Sequence, residues 1–81
     1  MPTVLNIEGF RFHFFSDERN EPCHIHVKKG GARGKIWLVP EYDEEYFYDF
    51  TVKERKKIKE IVQQHQEFII EKWNEYFGKS S

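Results

Sequence analysis

The sequence predicts an α+β fold: an antiparallel sheet of four or five strands with one long C-terminal amphipathic helix packed on one face. Three observations predict it. Apolar residues recur with period two through the first half of the chain and with period 3.6 through the last third, and turn-forming residues punctuate the first half. With 81 residues the chain is expected to be a single domain, residues 1–50 forming the sheet, 51–78 the helix and 79–81 a tail. A core of that size must be economical. Aromatics make up 17% of the chain, and each one buried contributes about 1.5–3 kcal/mol, so a few of them decide stability.

The elements follow in order. Val4 to Ile7 is a short β-rich run, and Glu8-Gly9 reads as a tight turn. In the next strand Phe10, Phe12 and Phe14 alternate with Arg11 and His13, which assigns the two sets to opposite faces. Residues 16–22 are polar and end in Pro22, as a surface loop does. Cys23 to Lys28 alternates again, with Cys23, Ile25 and Val27 inward and His24, His26 and Lys28 outward. Lys29-Gly30-Gly31-Ala32 turns the chain back. The run from Arg33 to Val39 then places Ile36 and Leu38 on one face and Lys35 and Trp37 on the other, and Pro40 closes it. From Glu41 to Phe50 acids mix with aromatics, the pattern of a short edge strand.

Thr51 with Glu54 forms a capping box at a helix start. Ile58, Ile61, Val62, His65, Phe68, Ile69, Trp73, Tyr76 and Phe77 then recur at steps of three and four, up to Gly78 at a C-cap position. Read as one helix, residues 52–77 span roughly 39 Å, longer than a typical strand. An overhang carrying Trp73, Tyr76 and Phe77 is expected, and with it a homodimer through the helix end or a partner protein covering it.

Charge is segregated although the net charge is only −1. Residues 1–39 carry six basic and four acidic side chains, 40–50 carry five acids and no base, and 51–81 carry seven bases and five acids. A surface basic throughout, as a general nucleic-acid glove requires, is excluded; a local patch is not. Mean hydropathy of −0.80 and the lack of a long apolar run argue against a membrane span, and the start lacks a signal-peptide pattern, so a cytoplasmic location is expected. Cys23 is the single cysteine, which rules out an internal disulfide and leaves it as a small buried apolar residue.

Several short motifs occur in order: Met1-Pro2-Thr3-Val4, Gly9-Phe10-Arg11-Phe12 with Phe14-Phe15-Ser16, Glu21-Pro22-x-His24-Ile25-His26-Val27, Trp37-Leu38 and Trp73-x-Glu75-Tyr76-Phe77. Together they resemble the bacterial domain of unknown function 4160 over nearly the whole chain. The resemblance implies a small bacterial protein, often encoded beside another small protein and associated with toxin–antitoxin modules. It carries over no catalytic residues, and members often have a second proline where this chain has Cys23.

Three chemistries compete for the outward face. His24 and His26 stand two residues apart on one strand, spacing that suits a metal, with His13 as third ligand and Asp17 or Glu21 behind it. The alternative to a metal is a pair of half-exposed histidines on a polar face. The same residues, His24, His26 and His13, are the candidate catalytic groups of a metal-free ribonuclease-like enzyme, since imidazoles accept and donate protons near neutral pH while Arg11, Lys28 or Lys35 stabilises developing charge. The third reading is binding. Arg11, Lys28, Lys35 and Trp37 on the sheet, and Lys53, Lys56 and Lys57 in the first turns of the helix, are the candidate contacts with nucleic acid or a protein partner. Those lysines crowd the positive end of the helix macrodipole, and the acidic 41–49 segment folding beside them is the simplest offset. His65 reads as a core-edge histidine. No Gly-rich phosphate loop or nucleophile elbow is present, and no cofactor is expected. The expected function is that of a small cytosolic interaction module, one member of a toxin–antitoxin-like pair, binding a protein encoded nearby or RNA or DNA, with no membrane partner.

Overall fold

The computed structural model describes residues 3–15 and 20–78. Five strands, β1 (Thr3–Ile7), β2 (Phe10–His13), β3 (His24–Lys29), β4 (Ala32–Trp37) and β5 (Asp43–Tyr48), are followed by two helices, α1 (Val52–Gln64) and α2 (Gln66–Phe77). The strands form one antiparallel sheet in the order of the chain, β1-β2-β3-β4-β5. Ile7 and Phe10 are paired across the Glu8-Gly9 turn. Both turn residues have positive φ, 52° and 84°, which a type I′ hairpin demands and which glycine adopts without strain.

The alternation read from the sequence builds the core. Phe10, Phe12, Phe14, Ile25, Val27, Ile36 and Leu38 are buried together with Cys23 and with Ile58, Ile61, Val62, Ile69 and Trp73 of the helices. Burial raises the Cys23 thiol pKa to about 12, leaving it protonated and unreactive. The capping box is formed: the Glu54 amide donates to Thr51 Oγ1 at 3.1 Å and the Thr51 amide to Glu54 Oε1 at 2.9 Å. The acidic segment does lie beside α1, with Glu44 3.8 Å from Arg55.

The expectation of one long helix is corrected to two. His65, at φ −113° and ψ 18°, leaves helical geometry between them. Its amide is shared between the carbonyls of Ile61 and Val62, at 3.0 and 3.2 Å, and its Nδ1 lies 2.9 Å from the same Ile61 oxygen. Two donors of one residue thus converge on one carbonyl, which interrupts the regular ladder. Gln66 secures the bend by donating from Nε2 to the Leu38 carbonyl at 3.5 Å.

The bend also corrects the overhang. Trp73 is buried against Phe14, with ring centroids 5.2 Å apart, and against Phe77 at 4.3 Å. Phe77 is half-buried, and Tyr76, 44% exposed, is the most open of the three rings. Of the three rings expected to overhang, Trp73 is therefore covered within the chain, while Tyr76 keeps surface open. Among the described residues no helix is long and apolar enough to cross a membrane.

Candidate functional site

The sheet face opposite the core is assembled by register. His13, His26, Lys35 and Tyr46 are successive cross-strand partners on β2, β3, β4 and β5, and two residues along each strand Arg11, Lys28, Arg33 and Tyr48 form a second row. Because side chains alternate across a strand, each row stands on one face. The phenol rings of Tyr46 and Tyr48 stack at 5.0 Å. A third row begins with His24 beside Trp37.

The three histidines share this side of the ladder but are not solvent-facing. His24, His26 and His13 are 0, 6 and 7% exposed, which corrects the half-exposed reading. Two further side chains, Phe15 beyond the end of β2 and Trp73 of α2, account for much of this. Phe15 lies edge-on to His26 at 4.4 Å and to His13 at 5.0 Å. Trp73, from α2, comes within 5.0 Å of the His24 ring, which also meets Trp37 at 4.9 Å and His26 at 5.1 Å. His24 therefore does not point away from the helices but is wedged at the sheet end. Its Nδ1 donates to the Pro22 carbonyl at 2.9 Å, which holds the ring in place.

A metal at His24 and His26 would need further ligands. Among the described residues no group of three His, Cys, Asp or Glu side chains could hold one. Asp17 lies outside the described residues, and Cys23 belongs to the core on the other side of the sheet.

Electrostatics separate the two sets of candidate cations. On the sheet face Lys35 is paired with Glu21 at 3.2 Å and sits 4.4 Å from the Trp37 ring centroid, and the Trp37 indole donates to Glu45 at 2.5 Å. Arg11 donates to the Thr3 hydroxyl, and Arg33 rests over Tyr48 at 5.4 Å. Among the described residues no carboxylate pairs with Arg11, Lys28 or Arg33. The helix-start lysines form a different region. Lys57 contacts Glu8 at 3.1 Å, and Lys53, Lys56 and Lys57 line a shallow hollow that also contains Glu8, Glu54 and Glu60. Acids compensate that hollow, and α1 packs on the core side of the sheet, so these lysines do not extend the outer face.

Arg33, Tyr46, Tyr48 and Phe15 were not foreseen as site residues. Arg33 has the same parity as Lys35 and Trp37, so alternation alone could have found it. The tyrosines depend on a register shift between Lys35 and Ile36, which leaves no signal in composition.

His13 is the unusual group of the face. Its Nδ1 is buried without a hydrogen-bond partner among the described residues. Its pKa lies below the ordinary 6.5, first because burial desolvates the cation, then because of the charge on His26. The unfolded chain therefore takes up this proton at a higher pH than the folded chain does. As pH falls below 6.5 the unfolded state binds more protons, and stability declines until the lowered folded value is passed. Denaturation series at pH 7.5, 6.5 and 5.5 should show this loss in the parent protein and a smaller one in His13→Gln. Equal losses would place the titration elsewhere.

A family model described as Domain of unknown function (DUF4160) matches residues 9–74. No curated protein and no solved structure matches the chain.

Proposed function

The chain belongs to the DUF4160 family, and we propose that it works as an interaction module whose outer sheet face holds a single-stranded nucleic acid. The observation that carries this reading is the row Arg11-Lys28-Arg33-Tyr48. Three cations without carboxylate partners among the described residues stand on three adjacent strands and end on an aromatic ring. Phosphates relieve their mutual repulsion, and the exposed Tyr48, stacked on Tyr46, offers aromatic surface to unstacked bases. The net charge of −1 confines the attraction to this face. Pairing with a protein encoded nearby, and a toxin–antitoxin-like role, are proposed on the family likeness alone.

Fluorescence anisotropy with labelled single-stranded RNA and DNA, repeated across salt concentrations, tests the reading. Each phosphate neutralised adds about −0.7 to the slope of log K against log salt, so three contacts predict a slope of about −2. Replacing Arg11, Lys28 and Arg33 together with glutamine should abolish binding. Salt-insensitive binding, or none to either nucleic acid, overturns the proposal, and capture of the neighbouring gene product by this same face would replace it with a protein partner.

A second reading, a metal-free ribonuclease, is favoured by His13. Its lowered pKa keeps it a neutral base near pH 7, and its ring stacks at 5.7 Å on His26. One imidazole would take the proton of a ribose 2′-hydroxyl as its oxygen attacks phosphorus, and a second would protonate the departing 5′-oxygen. Incubation with RNA decides it: intact RNA, or cleavage unchanged in a His24→Ala/His26→Ala variant, removes this reading.

A further inference from the structure

Between the histidine row and the β3–β4 turn the outer face sinks into a cleft of about 420 Å³, lined by His13, Phe15, His26, Lys28, Arg33 and Tyr46 and floored by the glycines of the turn and of β4. The volume lies in the range of small-ligand sites, roughly 300–1,000 Å³. We propose that this cleft is a subsite for one nucleoside monophosphate unit, its phosphate on Lys28 and Arg33 and its base against the aromatic walls. The inference deepens the proposed function and rests on it: the subsite would be where a bound strand, or its end, is gripped.

Three independent features converge. Lys28 and Arg33 are direct cross-strand partners, and like charges facing each other destabilise a sheet unless an anion sits between them. An arginine fork beside an ammonium suits phosphate oxygens, which accept from both. His13, more than nine-tenths buried, lines the cleft, and its buried Nδ1 has no hydrogen-bond partner among the described residues. A buried polar atom without a partner costs stability, and a turn of the His13 ring toward the cleft would let a ligand hydroxyl, phosphate or base edge supply one. Finally, Phe15 at one wall and Tyr46 at another give the cleft apolar surface that a bare phosphate ion would not use.

The pieces of the ligand are therefore not equivalent. Inorganic phosphate can satisfy the cations but leaves the rings bare, and a nucleoside can meet the rings but leaves the cations unpaired. Titration of the full chain, followed by NMR of the imidazole and amide resonances, should compare inorganic phosphate, adenosine, uridine, AMP, UMP and a single-stranded 10-mer. A nucleoside monophosphate should bind at least tenfold more tightly than phosphate or the nucleoside, and should shift the His13 ring resonances. A Lys28→Gln/Arg33→Gln variant, with an unchanged circular dichroism spectrum, should lose at least tenfold in affinity for the monophosphate but not for the nucleoside. Phe15→Ala should weaken binding of both the nucleoside and the monophosphate while leaving that of inorganic phosphate unchanged.

Equal affinity for phosphate and monophosphate, or saturation without any change at His13, overturns the subsite. Binding of the 10-mer without any monophosphate binding also overturns it, while leaving the outer face as a nucleic-acid surface. Binding of the monophosphate without the 10-mer supports the subsite and overturns the proposed function, making a free nucleotide the ligand.

Discussion

Replacing Trp73 with alanine is expected to cost about 3–5 kcal/mol of folding stability, the usual loss for a large aromatic removed from a core. A chain of 81 residues has only about 4–12 kcal/mol in total, taking roughly 0.05–0.15 kcal/mol per residue. The variant should therefore be partly unfolded near 37 °C. Trp73 is the most buried ring of α2, touching Phe14 on the core side and His24 at the end of the sheet. Its loss opens a cavity and uncovers a fully buried imidazole together. Urea unfolding followed by circular dichroism measures the effect, and Trp73→Phe, which keeps part of the ring contact, should recover at least half of it. A loss below about 1 kcal/mol, the scale of an ordinary surface substitution, would show that α2 is held by other contacts.

The second large effect is expected at Gly34. It is paired with Phe47 on the core face of the sheet, and a Cβ added there would stand 2.5 Å from Phe47 Cδ1 and 3.0 Å from the Tyr46 carbonyl oxygen. The aromatic ring could turn, but the carbonyl belongs to the sheet ladder and cannot. Gly34→Ala should cost about 1–3 kcal/mol, the range for an overfilled core, and Gly34→Val more. Because ring and methyl compete for one space, Gly34→Ala combined with Phe47→Ala should cost less than the sum of the separate losses. Additive losses would assign the damage to the backbone at Tyr46 instead.

Much of this architecture can be read from residue order. Phe10, Phe12 and Phe14, then Ile25 and Val27, then Ile36 and Leu38, declare one face by alternation, and the helix stripe that covers them is declared by its spacing. The interruption at His65 is not, because Ile58, Ile61, Val62, Ile69 and Trp73 keep steps of three and four across it. A hydrogen bond from a side chain to its own helix decides the geometry there, and periodicity does not report it. The candidate site was half legible for a related reason. Parity put His13, His24 and His26 on the side away from the core, and Phe15 shares the parity of His13, but burial depends on how neighbours fold over the rings: Phe15 lies beyond the end of β2, and Trp73 comes from a helix that alternation does not connect to that face. The cation row was legible by parity at Arg11, Lys28 and Arg33, and its continuation to Tyr48 required the register.

The strand order has a kinetic consequence. Every pairing in the sheet joins neighbours in the chain, so no strand pair is separated by more than the ten residues between β2 and β3, and low contact order favours rapid folding. The sheet can assemble strand by strand as the chain leaves the ribosome, yet its apolar side stays bare until residues 52–77 have been made. Phe12, Ile25 and Ile36, fully buried at the end, are then the surfaces through which a half-synthesised chain would stick to its neighbours.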